Sequence, residues 1–127
     1  MKPLFVVFAL CASAAIAETG SGLNTKKLEL GTAGPIAFGP PGILFVGDSV
    51  NASLIAIDTG DKKPNKGAGT IELKGINQKM ASALGTSPDQ ITIQDLAVNP
   101  VSRNIYFSIT RAKTPLLVKL DVAGNLT

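Results

Sequence analysis

The sequence predicts an all-β protein made of antiparallel strand modules, with one short helix inserted between them. Three observations carry that prediction. The first is a repeated phrase. Gly34-Pro35-Ile36-Ala37-Phe38-Gly39-Pro40-Pro41-Gly42 followed by Leu44-Phe45-Val46-Gly47-Asp48 returns as Asp95-Leu96-Ala97-Val98-Asn99-Pro100 followed by Ile105-Tyr106-Phe107-Ser108. Both copies then reach an apolar run closed by an acid, Leu54-Ile55-Ala56-Ile57-Asp58 and Leu117-Val118-Lys119-Leu120-Asp121. The second is punctuation: the apolar runs are of strand length and are separated by Gly, Pro and Asn. The third is that a helical period is confined to one stretch, where Ile76, Met80, Ala83 and Leu84 fall on one side and Gly85 stands as a stop. Self-similarity of this kind marks sheet modules that cannot bury their faces alone.

Taken in order, Leu28 and Leu30 flank Glu29 as in a short strand. Gly34-Pro35 leads into a strand at Ile36–Phe38, and Gly39-Pro40-Pro41-Gly42 must turn, since consecutive prolines lack ladder donors and Gly accepts positive φ. Strands at Ile43–Val46 and Leu54–Ile57 complete a meander. The first strand of each copy is apolar throughout, which predicts cover on both faces. Val118-Lys119-Leu120-Asp121 alternates, which predicts one face turned to water. Thr59–Gly69 is polar, basic and Gly-rich and reads as a solvated loop, and Thr70-Ile71-Glu72-Leu73 reads as a fourth, outer strand of the first module. After the helix, Ser87-Pro88-Asp89-Gln90 resembles a capping box, which predicts one further turn before Ile91.

Residues 1–17 stand apart from the fold. Met1-Lys2 gives a short basic start, Leu4–Leu10 an unbroken apolar run, and Ala15-Ile16-Ala17 a small-x-small cleavage site, the pattern of an export signal. The apolar run is well short of the roughly 20 residues that span a bilayer. The mature chain is therefore expected to begin at Glu18, to be secreted or periplasmic, and to have no membrane partner once cleaved. Cys11 is the single cysteine and lies within the signal, and the bulky Leu10 before it disfavours lipid attachment. A mature domain without disulfides is held by its core alone.

Twelve Lys and Arg stand against nine acidic residues in the full chain, and losing Lys2 narrows the margin further. So small an excess, with five Phe and one Tyr, offers no clustered basic footprint for nucleic acid.

In their order, the Gly-Pro or Asp leading into an apolar strand, the Gly-Pro or Asn-Pro turn, the aromatic strand and the Asp-terminated strand resemble β-propeller blades. The likeness is to the NHL, streptogramin-lyase and gluconolactonase-like secreted propellers, and it covers roughly residues 27–126. It implies a partial propeller over 28–127: a first blade at about 28–73, the inserted helix at 76–84, and a second, truncated blade at about 91–127, after a flexible segment at 18–27. Closed propellers typically hold four to eight blades. About two, incomplete, make missing blades of the same protein the expected partners, alongside a protein or small-molecule ligand. The other reading is a small β-domain that oligomerises through its open edges.

The chain has no His, which excludes a Ser-His-Asp or Cys-His nucleophile and a His or Cys zinc site within this segment. Its carboxylates show no calcium-loop spacing. Candidate ligand-binding residues are Asp48 and Asn51, in the turn Asp48-Ser49-Val50-Asn51, and Asp95, placed before the inner strand of the second copy. For each, a local hydrogen-bonding role at a turn competes with a role at a site. Asp58 and Asp121 recur in both copies, as turn devices do. Function is expected to be that of a binding or scaffold module with no catalytic residue here. The alternative is part of a metal-dependent lactonase or lyase-type propeller, in which the resemblance implies that Asp95 joins groups from absent blades around a divalent cation. No cofactor is otherwise implied.

Overall fold

The computed structural model describes residues 29–66 and 70–127. The expected export signal at 1–17 and the expected flexible segment at 18–27 lie outside the described residues. The elements are β1 (Ile36–Phe38), β2 (Ile43–Asp48), β3 (Ser53–Asp58), α1 (Ile76–Leu84), β4 (Ile91–Val98), β5 (Ile105–Arg111) and β6 (Thr114–Leu120), with a single 3-10 turn at Pro88–Gln90 before β4. They form two antiparallel three-stranded sheets, β1-β2-β3 and β4-β5-β6. All-β modules with one inserted helix are what the sequence predicted.

The pairing registers of the two sheets coincide. Ile36 pairs with Val46 as Leu96 pairs with Phe107, and Phe38 with Leu44 as Val98 with Ile105. On the far side Leu44 pairs with Ile57 as Ile105 pairs with Leu120, and Gly47 with Leu54 as Ser108 with Leu117. A one-residue slip in either sheet would turn its apolar set to the wrong face. The repeated phrase therefore encodes one backbone pattern used twice.

The turns follow from their residues. Gly42 takes φ 77°, and Ile43 N–H donates to Pro40 O at 2.9 Å, so the Pro-Pro pair is spanned without a ladder donor being lost. At the equivalent turn, Asn99 Oδ1 accepts from Val101 N–H at 2.8 Å, an Asx device that lets Arg103 adopt φ 70°. Gly85 ends α1 at φ 68°, and Thr86 N–H donates to Ala81 O at 2.9 Å. Arg111 supplies a second stop, its Nη1 donating to Leu84 O at 3.1 Å.

The sheets pack face to face. Ile36, Leu44 and Val46 bury against Tyr106, with Phe38, Ile57, Ala97 and Leu117 packed around them. The rings of Phe38 and Tyr106 meet edge to face, centroids 5.1 Å apart. The opposite face of the second sheet, with Phe107, Ile109, Val118 and Leu120, is covered by Met80 and Ala81 of α1. Helical spacing at Ile76, Met80 and Leu84 thus marks a core stripe.

Four details differ from the sequence reading. Thr70–Leu73 is not a strand; Leu73 packs beside α1 against the core of the second sheet, so its side chain does not extend the first. Glu29 and Leu30 are not in a strand either, and Leu30 packs on the sheet interface. The one turn at Pro88–Gln90 forms, but the Ser87 side chain does not cap it; Gln90 N–H donates to the Ser87 carbonyl at 3.0 Å. Cover on both faces belongs to the central strands β2 and β5. β4 leaves Leu96 and Val98 about half exposed, at 51% and 48%, because Met80 and Ala81 of α1 cover Ile91, Phe107 and Ile109 on that face and stop short of them.

Candidate functional site

Asp48 ends β2 and is 1% exposed. Its Oδ1 accepts from Thr32 N–H at 3.0 Å, Val50 N–H at 3.1 Å and Asn51 N–H at 3.2 Å, and its Oδ2 from Gly31 N–H at 2.7 Å and Asn51 Nδ2 at 2.8 Å. Burial pushes this carboxyl up, but the donors from Gly31, Asn51 and Thr32 outweigh it and hold the group below the ordinary aspartate value. The structure brings Asp48 and Asn51 together, as a knot that ties the 29–32 segment to the β2–β3 turn. Ser49 stays exposed on the same turn.

Asp95 lies within β4, where the sequence reading set it just before the strand. A bulge between Ile93 and Asp95 inserts one residue into β4. The bulge reverses the side-chain parity, so Ile93 and Leu96 fall on one face while Asp95 turns to the first sheet. There its Oδ2 accepts from Ile36 N–H at 3.0 Å and its Oδ1 from Leu96 N–H at 2.8 Å. Ser108, paired with Asp95 across the ladder, donates from Oγ to Gly34 O at 2.7 Å. Both side chains bind the sheets together along their inner strands. Asp95 shares no hydrogen-bond partner with Asp48 or Asn51 among the described residues.

Asp58 Oδ1 accepts from Gly60 N–H at 3.0 Å, and Asp121 Oδ1 from Ala123 N–H and Asn125 N–H at 2.9 Å each. These are the turn devices that their recurrence suggested.

A further carboxylate, Asp61, gathers three side-chain donors from the second sheet and its β4–β5 turn. Asp61 sits in the connection after β3, in a stretch read as a solvated loop, and its Oδ2 accepts from Ser102 Oγ at 2.7 Å, Asn104 Nδ2 at 2.9 Å and Tyr106 OH at 2.9 Å. Its main-chain carbonyl accepts from Asn99 Nδ2 at 2.8 Å. The connection from the first sheet is thereby fastened to the β4–β5 turn of the second. Lys62–Lys66 beyond it are exposed, as expected of a loop. Burial raises the Asp61 carboxyl, and the Ser102, Asn104 and Tyr106 donors, with the charge of Lys119, bring it below its usual range. Tyr106 responds in the opposite sense. Burial pushes its phenol up to about 12, against the Thr59 hydroxyl and with help from the Asp61 carboxylate beside it.

A cleft of about 190 Å³ opens between α1 and β6, lined mainly by Met80, Leu84, Leu116, Val118 and Leu126. Among the described residues, no three acidic, His or Cys side chains gather as a metal site would need, and no helix is long and apolar enough to cross a membrane. Comparison with protein-family models, curated proteins and solved structures finds no match to the chain.

Proposed function

We propose that this chain is an exported segment of a β-propeller, of the NHL, streptogramin-lyase or gluconolactonase-like kind, and that it serves as a binding or scaffold module. Its partners in this reading are further blades of the same kind, with a protein or small-molecule ligand recognised on a rim or in a central channel. Export rests on the basic, apolar and small-x-small succession of residues 1–17.

One observation carries the scaffold assignment. Both candidate carboxylates have their oxygens committed to backbone donors, Asp48 to Gly31 and Thr32 and to Val50 and Asn51 of its own turn, and Asp95 across the sheet interface at Ile36 N–H and within β4 at Leu96 N–H. A carboxylate that holds two sheets in register does structural work, and binding a cation would compete with those donors. The radial arrangement is supported by the approach of the sheets through their first strands, β1 beside β4, as blades approach around an axis.

The test is Asp95→Ala in the full chain, with metal content measured by elemental analysis after equilibration with calcium, magnesium or manganese. Unchanged metal content, with unfolding easier by about 1–2 kcal/mol from the lost charge-assisted hydrogen bonds, is the expected result. A bound metal equivalent present in the parent and lost in the variant would overturn the scaffold assignment in favour of a metal-dependent enzyme.

A further inference from the structure

The interface between the two sheets has two halves, and part of each recurs, uncovered, at an end of the molecule. One half is Ile36, Phe38, Leu44 and Val46; the other is Ala97, Tyr106 and Leu117. Of the first half, the counterparts of Leu44 and Val46, Ile105 and Phe107, pack in the core under α1. By the shared register, Leu96 and Val98 of β4 are the counterparts of Ile36 and Phe38. Equally, Ala37, Phe45 and Leu54 of the first sheet are the counterparts of Ala97, Tyr106 and Leu117. Inside the chain Ile36 and Tyr106 are buried and Phe38, Ala97 and Leu117 half-buried, whereas among the outer counterparts Leu96, Val98, Ala37 and Leu54 are exposed and Phe45 is half-buried. Leu96 is 51%, Val98 48% and Leu54 72% exposed, with Ile93 at 37% extending the β4 strip. α1 covers Ile91, Phe107, Ile109, Val118 and Leu120 on that outer face and leaves the second half of β4 free.

We propose that these end faces are the two sides of a head-to-tail contact between copies of this chain, β4 of one copy packing on the β1–β2 face of the next. The inference rests on the reading of the sheets as successive units of one repeat, and it names the source of the further units as a second copy. What selects that occupant is the molecule's own interface. The surface that covers Ile36 and Phe38 inside the chain is the surface that the first sheet presents outward, an aromatic with an alanine and a leucine in register. Such a contact is heterologous, so it closes into a ring if the rotation per copy permits and otherwise extends. With two sheets per copy, closure at four to eight sheets corresponds to about two to four copies.

The experiment is sedimentation velocity on the purified chain over a concentration series up to about 100 µM, with Leu96→Asp and Leu54→Asp as separate variants. The expected result is self-association of the parent, closed or extended, and a monomer for each variant. Mixing the two variants must then restore a one-to-one dimer, since each retains the half that the other lacks. A parent monomeric at all concentrations, an oligomer indifferent to both substitutions, or failure of the mixture to pair would each overturn the proposal. Phe38→Ala separates this failure from failure of the repeat reading. If the parent is monomeric while that substitution alters Tyr106 emission, the repeat stands and self-docking falls. If Tyr106 emission is indifferent to Phe38, the internal interface is absent and both fall.

Discussion

Leu44→Ala is expected to destabilise the chain by about 3 kcal/mol. Leu44 is 1% exposed and sits where the two sheets meet, between Ile36, Val46 and Tyr106. Truncation removes its transfer free energy and opens a cavity that two hydrogen-bonded sheets cannot collapse around. Domains of this size are stable by roughly 5–15 kcal/mol, so one side chain removes a large share. Leu54 serves as the control: at 72% exposure, Leu54→Ala should change stability by about 0.5 kcal/mol or less in the monomer. Urea unfolding followed by far-UV circular dichroism gives both values. A Leu44→Ala loss below about 1 kcal/mol would mean that this face is not a core.

Asp61→Ala is the second large effect, expected at about 2–4 kcal/mol, because the hydroxyls of Ser102 and Tyr106 and the amide of Asn104 are left in a part-buried pocket without their acceptor. The charge is as important as the shape. Asp61 is held below the ordinary aspartate pKa, so the stability it supplies is present above the unfolded-state value and is lost as pH falls through the folded one. Asp48 contributes with the same sign. Tyr106 has the reverse linkage. Its pKa rises from 10.0 to about 12, so its contribution is complete below the unfolded value near 10 and disappears as pH climbs toward about 12. Tyr106 is the one tyrosine of a chain that has no tryptophan, so absorbance at alkaline pH titrates it alone. The midpoint should stand near 12 in the native protein, fall toward 10 in denaturant, and drop in Asp61→Ala. A native midpoint at the free-tyrosine value would contradict a buried phenol donating to Asp61.

Much of the fold could be read from residue order, and the reasons are local. Pro40-Pro41-Gly42 and Asn99-Pro100 leave the backbone few alternatives to a turn, and the apolar stripe with Gly85 leaves few to a short helix. The repeat phrase supplied the register, since each aromatic strand has its apolar partner at the matching place. What could not be read depends on distant partners. Thr70–Leu73 has strand-like composition, yet Leu73 has more to bury against the second sheet than beside β3. The exposure of Leu96 and Val98 depends on what lies next to β4, about which β4 itself says nothing.

The candidate site divides in the same way. Asp48 and Asn51 are three residues apart, and an Asx knot at that spacing is a local device that a sequence displays. The repeat gives Asp95 a marked place, but its partner, Ile36 N–H, is 59 positions away and its orientation depends on an unsignalled bulge. Asp61 lay in a Gly-Asp-Lys-Lys run with the composition of any surface loop. Its role requires Ser102, Asn104 and Tyr106 to arrive from the other sheet, more than 40 positions on.

The central claim is that one sheet unit occurs twice and that the copies pack through matching faces. The most direct measurement is a nuclear Overhauser spectrum of the side-chain protons. The account predicts strong cross-peaks between the rings of Phe38 and Tyr106, whose centroids lie 5.1 Å apart, together with cross-strand peaks for Ile36 with Val46 and Leu96 with Phe107. Tyr106 cross-peaks confined to neighbours on β4, β5 and β6, with none to Phe38, would contradict it.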